Sequence, residues 1–313
     1  MCWKFEKRGY YESPKRIQSV TEFLECIKEN WKEWYEKSKE QWDPQEESPW
    51  FRGVHNETYD LIPGIYRGEE ILGWKYSPEE AEDMKAEFAR RAVPFLKRHQ
   101  HFREGEYLHL MQHYRYPTRL LDWTEGALIA LYFAIRISKE KEKEITTDEK
   151  SYKPCVWMLN PSWLNYVNDI INKIAHKDPE SEEYKSLVRY TDYWAMEKYP
   201  EDKIILKYYL DREEKLSAQY PIAVFPPHID VRIVAQKSVF TIHGKLKDGF
   251  RKLNKKHRDA QIAKILITSE KEQLKNIKED LKILGITETT LFPDLEGLSR
   301  EIQAENHLKV RYP

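Results

Sequence analysis

Cysteine is scarce: the three residues Cys2, Cys26 and Cys155 stand far apart and are odd in number. They offer no CxxC pair and no disulfide framework, which excludes a stapled secreted scaffold and favours a reducing compartment. Glycine is also thin, and no GxGxxG, GxxxxGK[ST] or GxSxG pattern occurs, so the usual phosphate loops and the hydrolase elbow are excluded. The longest apolar run, Ala127 to Ile137, is broken by Arg136 and is far too short to span a bilayer. Met1 to Lys7 lacks the apolar stretch of a signal peptide. Charge of one sign is absent as well: the formal net charge is -1, so any affinity for nucleic acid or anionic lipid must come from a local patch. Together these absences predict a cytoplasmic protein with no membrane partner.

What is present is a globular composition, 40% hydrophobic and 34% charged, with enough chain to bury a core without staples. Helical spacing of Val20, Phe23, Leu24, Ile27, Trp31 and Trp34 predicts a helix over 19–40, with Thr21 as its cap. Ser77, Pro78 and the acidic start that follows predict a second helix to His99, kinked at Pro94. A shorter helix is expected over 104–114, stopped by Pro117. An extended segment over 118–123 follows, then a buried helix over 125–138 capped by Thr124. Residues 139–150 read as a charged linker and 175–217 as a charged helical insertion. Short strands are expected at 50–54, 154–159, 222–225, 231–235, 239–243 and 262–268, with helices after residues 161, 270 and 293. Strands and helices interleave without a regular βαβ beat. That predicts an α+β fold with a mixed, mainly antiparallel sheet surrounded by helices. The expected division is an N-terminal helical segment over 1–48, a domain over 49–300 and a tail over 301–313.

The densest chemistry lies between Met111 and Thr124, where Gln112, His113, Tyr114, Thr118, Arg119, Asp122, Trp123 and Thr124 alternate with apolar residues. Polar groups held beside a core must be paired or they cost roughly 1–3 kcal/mol each. Such a segment is either a satisfied structural network, with Arg119 and Asp122 as a buried ion pair and Thr124 as a cap, or a site. Arg52 stands between Phe51 and Gly53. Glycine permits close approach, and an arginine there can hold phosphate or carboxylate through two parallel hydrogen bonds, or stack on Trp50. His109 and His113, four apart on one helix face, could open a metal shell with His99, His101 and Asp122. The HExxH glutamate is missing, so no metal is expected. The basic run from Lys245 to Arg258 reads either as a phosphate contact or as a solvated helix face.

Several separated blocks resemble the FRG domain family, named for its Phe-Arg-Gly signature. They are Trp50-Phe51-Arg52-Gly53 with Leu61-Ile62-Pro63 and Arg67, and Met111 to Thr124 followed by Ala127 and Leu131 to Ala134. Further along come Arg232 to Gln236 with Ser238, Phe240 and Thr241, then Leu284-Gly285-Ile286 and Leu291 to Asp294. Members of that family commonly carry glycine where this chain has Arg115 and Ser238. A more distant resemblance runs to ADP-ribosyltransferase-like folds, whose first core strand presents an aromatic-Arg-Gly to the phosphates of NAD. In those folds a hydroxyl-bearing strand leads into a helix, and a later strand supplies a glutamate for which Asp230 and Gln236 are the nearest offers here. The resemblance implies an NAD-binding or NAD-consuming enzyme with NAD as substrate and a toxin or defence association. Arg52, His113 and Asp122 would be catalytic. Phe51, Gly53, Gln112, Tyr114, Thr118, Arg119, Trp123, Thr124, Arg232 and Gln236 would bind ligand, with Tyr114 or Trp123 stacked on the nicotinamide. The alternatives are a non-catalytic module for a nucleotide, peptide or nucleic-acid end, and a metal-dependent hydrolase. The ligand expected is a nucleotide or small molecule, with a protein or nucleic-acid target open and the oligomeric state unspecified.

Overall fold

The computed structural model describes residues 4–5, 10–39, 48–67, 76, 78–96, 104–136, 152–167, 220–226, 228, 230–244, 246–257 and 260–306. The expected charged linker and the insertion at 175–217 lie outside these residues, as do Ser77, His99 and His101. The fold is α+β, as the interleaved pattern predicts. Among the described residues eight strands form one sheet in the order β1-β2-β8-β5-β3-β4-β7-β6. They are β1 (Lys4–Phe5), β2 (Tyr11–Glu12), β3 (Trp50–Val54), β4 (Leu120–Thr124), β5 (Cys155–Leu159), β6 (Ile222–Val224), β7 (Ser238–Ile242) and β8 (Ile262–Leu266). All neighbours run antiparallel except β2 and β8, which are parallel.

The first helix, α1 (Val20–Lys39), buries Val20, Phe23, Ile27 and Trp34, the stripe its spacing predicts. Its cap is not Thr21: the Ser19 hydroxyl accepts from the Glu22 backbone N–H at 3.2 Å, and the Glu22 carboxylate accepts from the Gln18 N–H at 3.1 Å. Helix α2 (Pro78–Ala92) is shorter than expected. Pro94 does not kink it; the chain leaves the helix in a 3-10 turn at Val93–Phe95, since a proline ring removes a ladder donor and clashes with the preceding turn. Helix α3 (Glu104–His113) leads to β4, and α4 (Ala127–Ile135) follows. Residues 161–167 form α5.

The strand expected at 231–235 is instead a helix, α6 (Val231–Ala235). Its β-branched residues suggested extension, but Asp230 caps it by accepting from the Arg232 N–H at 2.7 Å. Five residues are too few for periodicity to decide. The remaining helices are α7 (Gly249–Lys256), α8 (Lys271–Ile283), α9 (Glu288–Leu291) and α10 (Leu295–Asn306). No helix among the described residues is long and apolar enough to cross a membrane. The basic run contributes α7, where Arg251 pairs with Asp60 and Lys252 with Asp248.

Two features of the sheet position everything else. One face carries Phe51, Val156, Met158, Ala263 and Ile265 against α1, α4 and α8; the other carries Trp50, Leu121, Trp123, Trp157 and Leu159. Helix α4 lies on β3 so closely that a Cβ built on Gly53 would stand 1.9 Å from the Ala130 carbonyl oxygen and 2.6 Å from the Ala134 nitrogen. The glycine is thus a packing requirement rather than an opening for a ligand. The second feature is a split. β3 shares five register pairs with β5, and β4 shares five with β7, yet β3 and β4 share only Phe51↔Thr124. The sheet therefore has two well-laddered wings joined at one point.

Gly53→Ala should lower unfolding stability by about 3 kcal/mol, because backbone rather than a flexible side chain fills the space and must move. Chemical denaturation measures this; a midpoint equal to that of the parent would contradict the close packing.

Candidate functional site

The split is bridged by side chains. Arg52 Nη1 donates to the Asp122 backbone carbonyl at 2.6 Å and stands 3.5 Å from the Asp122 carboxylate oxygen Oδ2. One guanidinium thus ties β3 to β4 where only a single register pair joins them. The side chains differ in exposure: Arg52 is 17% exposed and Asp122 is 53% exposed. The charged guanidinium lies at the mouth of the split with a carboxylate outside it. Burial lowers the Arg52 pKa, Asp122 opposes that shift, and the charge of Arg67 adds to it. The guanidinium remains protonated regardless. Among the described residues, its hydrogen bond and ion pair both run through Nη1, and Nε and Nη2 have no protein acceptor.

The carboxylate is oriented through a chain of hydrogen bonds whose polarity can be read without ambiguity. The Leu120 N–H donates to Thr118 Oγ1 at 3.0 Å, and the Thr118 hydroxyl donates to Gln112 Oε1 at 2.5 Å. The Gln112 amide must then present Nε2 to Asp122 Oδ2, at 2.9 Å. Thr118 is buried, so it positions Gln112 and does not meet a ribose as expected. Gln112 comes from the last turn of α3, which also supplies His113. The His113 Nδ1 stands 3.5 Å from Asp230 Oδ1, the carboxylate that caps α6. Its ring packs edge-on against Tyr114 with centroids 4.9 Å apart, and Tyr114 itself is 67% exposed.

The other expected site residues have structural roles. Phe51 and Trp123 are buried in the core, so of the two rings proposed for stacking only Tyr114 is accessible. The Trp123 indole donates to Thr241 Oγ1 at 3.1 Å. Thr124 does not cap α4, which starts after Gly126; its hydroxyl donates to the Gln236 carbonyl at 2.6 Å and accepts from the Gly126 N–H at 3.0 Å. Gln236 donates its side-chain amide to the Leu291 carbonyl at 3.0 Å. Arg232 pairs with Asp294 at 2.6 Å and with Glu296 at 3.2 Å, binding α6 to the start of α10. Arg119 is buried beside the Tyr66 ring, 6.0 Å from its centroid, while the Asp122 carboxylate is engaged by Arg52 and Gln112.

Sequence reasoning passed over His243. It follows β7 directly, is fully buried, and donates its backbone N–H to the Arg119 carbonyl at 3.0 Å. Its Nε2 lies 3.1 Å from Thr241 Oγ1. Burial and then the Arg52 charge push its pKa down to about 3, so the ring is neutral. The only signal in the sequence was its alternation with Thr241 on a strand end. The two helical histidines do not share a site: His109 is buried with its ring 4.9 Å from that of Phe240. Among the described residues no group of three or more His, Cys, Asp or Glu could hold a metal ion.

These elements define a mixed α+β protein with a split antiparallel sheet and a polar cluster at the split. The family model for the FRG domain matches residues 47–144, which include β3, α3, β4 and α4 and so both strands of the split. The chain carries an FRG domain. The blocks at 232–241 and 284–294 lie beyond the match. No curated protein and no solved structure matches the chain.

Thr118→Val should cost about 1–3 kcal/mol, because the buried Leu120 N–H loses its acceptor and the Gln112 amide loses the donor that sets its orientation. Thermal or urea unfolding of the two proteins checks it, and a cost near zero would show that the relay carries no weight. A second expectation concerns pH. Burial pushes the His109 pKa down to about 4 from its ordinary 6.5. The unfolded chain therefore takes up this proton first as pH falls. The stability held above pH 6.5 is lost on descending toward about pH 4, at a slope of about 1.4 kcal/mol per pH unit. His109→Leu should flatten that slope between about pH 7 and about pH 5; an unchanged slope in urea unfolding would refute the assignment.

Proposed function

We propose that the mouth of the split sheet binds NAD and that the protein cleaves its nicotinamide–ribose bond, passing the ADP-ribosyl group to water or to a target molecule. The observation that carries this reading is the pairing at the split. The half-sequestered Arg52 guanidinium is anchored through Nη1 with Nε and Nη2 still to be used, beside an exposed carboxylate fixed in orientation. Two N–H donors in a fixed fork suit the pyrophosphate, whose oxygens accept charge-assisted hydrogen bonds. Arg67 adds positive charge close by, which favours an anionic ligand.

The carboxylate suits the other half of the reaction. As the glycosidic bond breaks, the bonding electrons leave with neutral nicotinamide and positive charge develops on the ribose carbon. A pre-oriented carboxylate stabilises that charge without reorganising. In this scheme Asp122 is that group and Gln112 holds it in place. His113, set against Asp230, lies in the same helical turn and would accept a proton from the attacking hydroxyl.

A second reading, a binding module without turnover, is favoured by one specific observation. Of the two nearest offers for a later-strand carboxylate, Gln236 is committed to Thr124 and Leu291, and Asp230 caps α6. The two readings separate in one assay. Incubation with NAD should release nicotinamide, and Asp122→Asn should reduce the rate about 10²–10³-fold, with Arg52→Ala also raising the NAD concentration needed. Saturable NAD binding with no nicotinamide released would select the binding module. Turnover left intact by both substitutions would place the chemistry elsewhere.

A further inference from the structure

The turn that ends α3 carries a costly residue choice. The Tyr116 N–H donates to the Met111 carbonyl and the Arg115 N–H to the Gln112 carbonyl, both at 2.9 Å, the paired pattern that closes a helix through a left-handed residue. That residue is Arg115, with φ at 59°. Glycine adopts this backbone without penalty, whereas a residue with a Cβ does so only under strain. Arg115 is exposed, and its side chain has neither an ion pair nor a hydrogen bond among the described residues. Among the described residues no ion pair or hydrogen bond of its side chain offsets the strain. Persistent backbone strain of this kind gathers where a site requires it.

The position of this residue matters as much as its strain. Gln112 and His113 immediately precede it, the first fixing the Asp122 carboxylate and the second facing Asp230. Between them and Arg115 stands Tyr114, the exposed ring of the cluster. The left-handed turn thus presents a flat aromatic face and a cation in adjacent positions, on the same segment that organises the split.

We propose that Tyr114 and Arg115 form an outer subsite for a neutral aromatic base carrying a phosphate, which on the NAD reading above is the adenosine monophosphate half of the dinucleotide. The assignment of the base follows from charge. The nicotinamide ring of NAD is cationic, and a guanidinium on the next residue disfavours it. Adenine is neutral and has a π-face for Tyr114, with its 5′-phosphate within the domain of an arginine. The cationic ring is left at the Asp122 end, where a carboxylate stands.

Calorimetric titration with adenosine 5′-monophosphate, adenosine and inorganic phosphate tests this directly. The parent should bind the monophosphate more tightly than either fragment. Tyr114→Ala and Arg115→Gly should each weaken it about tenfold, with Arg115→Lys retaining part of the affinity. Arg115→Gly should at the same time unfold at a higher denaturant concentration than the parent, so its loss of binding cannot be ascribed to misfolding. No binding of the monophosphate by the parent, or equal binding by Arg115→Gly, would overturn the proposal. The outcome is separable from that of the NAD reading. Monophosphate binding weakened by both substitutions, without NAD binding or nicotinamide release, would retain the subsite and discard the dinucleotide. NAD turnover with monophosphate binding insensitive to both would do the reverse.

Discussion

The close approach of α4 to β3 is the constraint from which the rest of the arrangement follows. A helix can lie with its backbone against a strand only where the strand offers no side chain, and Gly53 supplies that place beneath Ala130 and Ala134. Once α4 is seated there, Phe51 faces it in the core, and the alternation of the strand sends Arg52 to the other side of β3. The Phe-Arg-Gly order is therefore one mechanical unit. Glycine lets the helix in, phenylalanine packs beside it, and arginine is aimed at the gap where β4 diverges.

The gap itself shows how a sheet can stay continuous while opening. Five register pairs on either side hold β3 and β4 in their own wings, so the single shared pair suffices to keep them together. An arginine completes the junction with a hydrogen bond to a strand carbonyl. A strand-to-strand bond would have closed the space; a guanidinium leaves part of itself facing outward. The neutral state of His243 is part of the same economy, because burial and repulsion from Arg52 both disfavour a second positive charge there.

Much of this was legible in the sequence, and the reasons for the remainder are local. The class of fold, the buried α4 and most strands follow from periodicity, since long or strongly apolar segments carry their own signal. The adjacency of Arg52 and Asp122 followed from the family resemblance, which put both in one site, and the two side chains do meet. What could not be read was the division of labour within that polar segment. Thr118 and Thr124 looked like ligand contacts through their hydroxyls, and Trp123 through stacking. In the fold Thr118 bonds Gln112 only six residues away, whereas Trp123 and Thr124 bond Thr241 and Gln236 across more than a hundred residues, pairings that leave no trace in spacing. Arg232 reads differently for a related reason: its partners, Asp294 just before α10 and Glu296 within it, lie 62 and 64 residues further along. The short helix α6 escaped because one Asp230 cap outweighed β-branched composition.

The far edge of the sheet bears on how the polypeptide acquires this shape during synthesis. Buried Lys264 on β8 pairs with Glu12 on β2 at 2.7 Å across 252 positions, and the two strands run parallel. The earliest strands therefore have no edge to join until β8 has left the ribosome. At roughly 5–20 residues per second, the nascent N-terminal segment waits on the order of tens of seconds with its docking partner unmade. The N-terminal strands thus join the sheet after the middle of the chain has been synthesised, and protection of Glu12 and its neighbours from proteolysis becomes a late marker of completed assembly.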